Sequence, residues 1–291
     1  MTRSPVAESV SVVIPTRRES SYLREAIASV QAQEPAETIV VENGGATLSE
    51  DTLDGARLIQ LPVSNRSLAR NAGVEAARFP FVAFLDDDDV ALPERLDRQR
   101  GSLGATRNTA LSFGRVHVVD AEGRAIDDWN ALLRKRYDRL ADRVVSPAEL
   151  LAAHAPIYTS AIMVRRSAFL AAGGYDARFD AYEDLDLYLR MFWQGELTPL
   201  GGAPVTMYRL HGANTPSPRL YEGALAVTEK HLPEARGHLR RLLLERRLDA
   251  LWGLGRYDDV RRAALRAALE QPLLLSHPRF AKRFAGSFVR R

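Results

Sequence analysis

The apolar run at residues 81–85 (FVAFL) stops at four consecutive aspartates, Asp86, Asp87, Asp88 and Asp89. Five apolar residues without alternation read as a strand buried on both faces, so the acids emerge together where the chain leaves a sheet. Side by side they repel one another and lose hydration, which no fold needs. A divalent cation relieves the strain, because hard oxygen ligands at alternate positions of an extended chain point to one side. The expectation is a metal site at a strand end; the competing one is a solvated acidic turn.

The segments before the aspartates alternate. Residues 10–14 form a short β-branched strand stopped by Pro15, and residues 20–33 carry Leu23, Ile27 and Val30 at helical spacing behind Ser20 or Ser21 as a cap. Residues 38–41 and 58–61 read as strands and 65–77 as a helix. This order is that of a doubly wound, Rossmann-like, mainly parallel α/β sheet flanked by helices, with right-handed crossovers. Ligands of such sheets bind beyond the carboxyl ends of the strands. Pro15 and Thr16, Glu42 and Asn43, and the aspartates all fall at such ends, so the rim is sized for a nucleotide.

Further on, residues 111–119 read as one strand, 134–145 as a charged surface segment and 147–153 as a short helix. Residues 162–165 read as a strand leading into a helix that Gly173 and Gly174 close. Beyond Pro216 the texture turns to Ala, Leu and Arg, giving two expected domains, residues 1–215 and a helical C-terminal extension at 216–291. Residues 255–272 have the texture of half a tetratricopeptide unit, but one copy cannot stack, so an ordinary helix pair is expected.

With 291 residues, 46% of them hydrophobic, the chain can bury a full core. The absence of cysteine excludes disulfides, thiolate metal sites and cysteine nucleophiles, and fits a reducing cytoplasm. No apolar run approaches the ~20 residues of a membrane span, and no signal-peptide core opens the sequence. In the first two hundred residues no basic stripe interleaved with aromatics marks a nucleic-acid partner. At the end of the chain, Phe280, Phe284 and Phe288 recur every four residues among Arg279, Lys282, Arg283, Arg290 and Arg291. In a helix they make one aromatic stripe, suited either to peripheral contact with the inner face of an anionic membrane or to docking on the protein's own core.

Taken in order, residues 10–16 (VSVVIPT), 39–44 (IVVENG), 67–73 (SLARNAG), 84–89 (FLDDDD) with 92–96 (LPERL), 173–176 (GGYD) and 182–187 (YEDLDL) resemble a family 2 glycosyltransferase of the GT-A fold. The resemblance runs from about Val10 to His211. It implies a nucleotide-sugar donor, a glycan, lipid-linked or other hydroxyl acceptor, Mn²⁺ or Mg²⁺ as cofactor, and inversion at the sugar carbon. Asp86 and Asp88 match the DxD motif, Asp88 as direct metal ligand and Asp86 facing the ribose or the ion. Asp87 fills the variable place within reach of the donor, and Asp89 orients its neighbours. Pro15, Thr16 and Arg17 match the loop packed against the base. Glu42 and Asn43 stand where the family usually has two acids, so uridine is the default base, with thymidine and guanosine open. Arg70 matches the phosphate-pairing position. Glu183 holds the acceptor or the base, and Asp184 matches the general base. His211 matches a metal ligand and Arg209 a diphosphate contact.

Two rival readings stay open. One is a sugar nucleotidyltransferase on a related sheet, which the 182–187 and 92–96 motifs disfavour. The other is a catalytically silent nucleotide-sugar-binding scaffold. The Arg- and Ala-rich composition points to a bacterial polysaccharide or glycoconjugate setting.

Overall fold

The computed structural model describes residues 9–140, 144–153, 157–210, 218–272, 274 and 278–288. The elements are β1 (Val10–Thr16), α1 (Ser21–Gln31), β2 (Glu37–Glu42), α2 (Glu50–Leu53), β3 (Arg57–Gln60), α3 (Arg66–Ala76), β4 (Phe81–Phe84), β5 (Val90–Ala91) and α4 (Arg95–Ala105). Then come β6 (Thr109–Phe113), β7 (Val116–Val119), α5 (Asp127–Tyr137), α6 (Pro147–Ala153), β8 (Ile162–Arg165), α7 (Arg166–Ala171), α8 (Glu183–Met191), β9 (Glu196–Pro199) and β10 (Thr206–Arg209). Helices α9 (Pro218–His231), α10 (Gly237–Gly253), α11 (Tyr257–Glu270) and α12 (Pro278–Gly286) complete the chain.

Two compact units divide these elements. Among the described residues, the first runs to Ala177 and resumes at Leu187; the second holds Arg178–Asp186 and the residues beyond Thr215. The first unit is built on a seven-stranded sheet of order β3-β2-β1-β4-β8-β6-β9, in which β8 alone runs against the others. A three-stranded sheet, β5-β10-β7, accompanies it. This is the mixed, mainly parallel α/β fold expected from the sequence. Ser20 and Asn65 cap α1 and α3, each accepting a backbone N–H at 3.0 Å, from Leu23 and Leu68 respectively; such caps contribute about 1 kcal/mol. Val12 and Ile14 of β1 pack with Leu23, Ile27 and Val30 of α1, all fully buried or nearly so.

The continuous strand expected at 111–119 breaks in two. Gly114 lies so close to Val205 that a Cβ there would stand 2.5 Å from its Cγ2. The Gly114 N–H to the Ala161 carbonyl closes the β6–β8 pairing; beyond it β6 stays in the large sheet and β7 joins the small one. The charged segment after residue 134 is partly the last turns of α5, and Leu133, Tyr137 and Leu140 are buried beneath its charges.

At the opposite edge of the sheet from the aspartates, Glu37 ties strand starts together. Its buried carboxylate accepts from Ser11 Oγ (3.0 Å), Arg57 Nη1 (3.0 Å), Arg78 N–H (3.1 Å) and Arg78 Nε (2.9 Å). Burial raises its pKa, but these bonds outweigh it and hold the group below its ordinary value. A depressed carboxylate stabilises the fold above its unfolded pKa of about 4.3 and loses that contribution as the pH falls through the folded value. Glu37→Gln is therefore expected to cost roughly 1.5–3 kcal/mol at pH 7, the range for bonds to a charged group. Urea unfolding at pH 7 and near pH 3 should show the difference shrinking in acid; a pH-independent difference would disprove it.

In the second unit α9, α10, α11 and α12 share a core of Leu225, Leu248, Leu251, Val260, Ala264 and Phe280. The aromatic stripe takes the inward alternative: Phe280 is fully buried and Phe284 packs on the same cluster. Phe288 is exposed beneath the Arg261 guanidinium, and Arg283 pairs with Asp249 over the Trp252 ring. Two of the three rings of the stripe are thus spent on the unit's own core. Among the described residues no helix is long and apolar enough to cross a membrane.

Candidate active site

The carboxyl ends of β1, β2 and β4 lie side by side, so their terminal residues share one rim of the first unit. Thr16 and Glu42 are register partners. Asn43 fastens the two strand ends, its N–H and its Nδ2 each donating to the Thr16 carbonyl at 2.9 Å. Glu42 Oε1 accepts from the N–H groups of Gly44 (2.5 Å) and Ala46 (3.0 Å), which folds the following loop back on the strand. Gly44 is required there, because a Cβ would stand 2.5 Å from the Arg17 carbonyl oxygen. Pro15 is buried within the β1 ladder, and the Arg17 side chain is exposed. Asn43 is 2% exposed, yet its Oδ1 has no hydrogen-bond partner.

The four aspartates form a tight turn closed by Asp89 N–H on the Asp86 carbonyl (3.2 Å). Asp86 Oδ1 takes a 2.6 Å bond from Nη2 of Arg70, which is 3% exposed and lies over the Tyr175 ring at 5.3 Å. Thr16 Oγ1 donates to Asp87 Oδ2 at 2.5 Å, which joins the β1 end to the turn. Arg209, on β10, holds the turn from another side. Its N–H donates to Asp89 Oδ1 (2.9 Å) and its Nε to the Asp88 carbonyl (3.0 Å). The rest of its fork engages Glu25 (2.7 Å) and the Ala121 carbonyl (3.2 Å), stacked on Tyr22 at 4.5 Å. Arg209 thus braces the turn. Burial, together with the charges of Asp88 and Asp86, pushes Asp87 up to about 6 against the Thr16 bond. Asp89 is raised well above the carboxylate range, again by burial and the same two charges.

Buried carboxylates pushed up further by the charges of Asp86 and Asp88 favour a bound cation beside them. Among the described residues no three acidic, histidine or cysteine side chains form a ready cage. That suits Mg²⁺ or Mn²⁺, which bind through one or two carboxylates plus substrate phosphates rather than an all-protein cage. The donor set of Asp86 and Asp88 fits such an ion. His211 lies outside the described residues.

Glu183 and Asp184 begin α8 in the second unit, right after Tyr182, whose φ of +61° is rare for an aromatic residue. Strained backbone of this kind gathers at functional positions. Tyr182 is held there by its own unit, with the Arg246 guanidinium 4.6 Å from its ring. Asp186, one turn into α8, is fully buried and bonds Lys230 (2.7 Å) and His231 (2.8 Å). Asp184 Oδ1 accepts from the Leu185 N–H at 2.7 Å.

Sequence reasoning missed three residues that shape this rim. Asn71 exchanges bonds with the Tyr175 backbone, Nδ2 to its carbonyl and Oδ1 from its N–H, both at 2.8 Å. This pins the Gly173–Tyr175 turn to α3. Tyr175 itself meets Phe84 edge-to-face and Phe169 at a tilt, beneath Arg70. The Ser160 hydroxyl accepts the Asp86 N–H at 2.9 Å. Asn71 and Tyr175 stood inside recognised motifs without a role, whereas nothing in the sequence around Ser160 marks it.

A family model described as glycosyl transferase family 2 matches residues 11–169. An uncharacterized glycosyltransferase of Methanocaldococcus jannaschii is 28% identical over 193 residues, 62% of this chain and 63% of that protein. The pre-mycofactocin glycosyltransferase of Mycobacterium tuberculosis is 29% identical over 206 residues, 66% of this chain and 40% of its own length. The O-antigen biosynthesis glycosyltransferase WbnJ of Escherichia coli is 24% identical over 64% of this chain and 72% of its own. The chain thus spans less than two thirds of the first of these relatives. Among solved structures, S. aureus TarS 1–349 in complex with UDP-GlcNAc shares the fold at a TM-score of 0.65 and 14% identity, covering 96% of this chain and 90% of TarS 1–349.

Proposed function

The chain belongs to glycosyl transferase family 2, and on that premise we propose that it moves a sugar from a UDP- or dTDP-sugar to an acceptor hydroxyl, with inversion, in glycoconjugate biosynthesis. The observation that carries the reading is the rim itself, where Thr16, Asn43, Arg70 and the aspartate turn are joined by direct bonds at the ends of three parallel strands. The buried, unpartnered Oδ1 of Asn43 is an acceptor that suits the imide N–H shared by uracil and thymine. TarS, whose fold the chain shares, is known in complexes with UDP-GlcNAc and with UDP.

In this reading Asp88, with Asp86, holds Mn²⁺ or Mg²⁺, which supplies positive charge to the departing nucleoside diphosphate. Arg70 orients Asp86 and adds positive charge near the phosphates. Asp184 takes the proton of the acceptor hydroxyl as its oxygen attacks C1 opposite the leaving group, and Glu183 steadies acceptor or base. One bond to C1 forms as the bond from C1 to the diphosphate oxygen breaks.

UDP or dTDP with Mn²⁺ is expected to raise the melting temperature; nucleotide at one hundred times its Kd stabilises by about 2.7 kcal/mol. The same nucleotide in EDTA should do much less. Equal shifts with and without metal, read by thermal denaturation, would remove Asp88 from its role. Slow hydrolysis of the donor in Mn²⁺ would separate an enzyme from a silent scaffold.

A further inference from the structure

We propose that Ser160 is a positioning residue for the donor and metal site, fixing the aspartate turn at its first residue while Arg209 holds its last; this rests on the functional reading above. Ser160 belongs to a short 3₁₀ turn, Thr159–Ala161, that precedes β8, and it is 1% exposed. Its Oγ accepts the Asp86 N–H at 2.9 Å. The Asp89 N–H closes the turn on the Asp86 carbonyl, and the Arg209 N–H holds Asp89 Oδ1 at 2.9 Å, so the first and last residues of the turn are both fixed. Ser160 is itself fixed, since its carbonyl accepts Thr206 Oγ1 of β10 at 2.6 Å.

Asp88 lies between the two clamped residues. The turn's other anchor, Arg209, comes from β10 as well, so Thr206 and Arg209 of one short strand locate both clamps. A carboxylate pair that must meet a cation and a diphosphate together gains from having its backbone fixed beforehand, because the ordering cost is met during folding. Losing an outer-shell hydrogen bond of this kind typically weakens metal affinity about 10- to 100-fold. Sequence reasoning cannot find such a residue: serine in a polar loop is unremarkable until the fold brings it against a turn more than seventy residues away.

The test compares wild type with Ser160→Ala and with the nearly isosteric Ser160→Cys, which keeps the volume but accepts only weakly. Binding of UDP is measured by calorimetry at 20 °C across a Mn²⁺ titration, well below unfolding, so that stability alone does not move the readout. The Mn²⁺ concentration giving half-maximal UDP binding should rise about tenfold or more in both variants. UDP affinity at saturating Mn²⁺ should return to within about twofold of wild type, because the ligands themselves remain. Half-saturation within twofold of wild type in Ser160→Cys would overturn the proposal while leaving the functional reading intact. Wild-type protein that binds no UDP at any Mn²⁺ concentration would overturn both.

Discussion

Asp184→Asn is expected to reduce transfer about 10²- to 10⁴-fold while metal-dependent nucleotide binding stays close to wild type. The amide keeps the shape of the side chain but cannot accept the acceptor's proton. Asp88→Asn should behave differently: donor affinity and transfer both fall, with partial recovery at high Mn²⁺. The contrast follows from when each group acts in the proposed mechanism. Asp88 contributes once the donor is bound, so its loss appears in the ground state. Asp184 contributes only as the proton moves, so its loss appears in the transition state alone. Nucleotide affinity by calorimetry and transfer rate with a radiolabelled sugar distinguish the two. A near-wild-type rate in Asp184→Asn would reject an inverting mechanism based on this residue. Equal losses of nucleotide affinity in both variants would mean that the two acids share one task.

What the sequence made legible was the rim. Strands β1, β2 and β4 are apolar runs with polar ends, and burial on both faces leaves little else for such runs to do. Capped, periodic helices such as α1 and α3 were equally plain. The rest depended on contacts between distant segments. Strand β10 is four residues long with two of them half-buried, so it lacks both alternation and length, yet it carries Arg209 and, through Thr206, steadies Ser160. Helix α4 begins at a left-handed Glu94 without a capping side chain, and its Arg95 is fully buried against the Phe84 and Ile162 carbonyls. No pattern rule puts an arginine there. Arg209 resembled a diphosphate contact by its place in the chain, but its partners became visible only when Glu25 and Ala121 arrived beside it. A side chain's chemistry is written in the sequence; its commitments are written in the fold.

The motif at residues 67–73 shows how far scaffolding and function overlap, and it supports a structural prediction of its own. Gly73 lies on the face of α3 that meets β1, where a Cβ would stand 2.3 Å from Val13 Cγ1 and 3.0 Å from Cγ2. Val13 is fully buried on a central strand, with β2 on one side and β4 on the other, so it has nowhere to turn. In an exposed helix Gly→Ala gains about 1 kcal/mol; at this position Gly73→Ala should instead destabilise by about 1–3 kcal/mol through overpacking. Nucleotide binding should weaken as well, because lifting α3 moves Arg70 and breaks the Asn71 clasp on Tyr175. Val13→Ala removes both clashing methyl groups and alone leaves a cavity that also costs stability. Together the two substitutions remove two methyl groups from the strand and add one on the helix that fills part of the space, so each should relieve the other. Urea unfolding of both single variants and the double should yield a favourable coupling of about 1–3 kcal/mol. Strict additivity, or a Gly73→Ala variant as stable as wild type, would show that the glycine is not there to bring the helix down onto Val13.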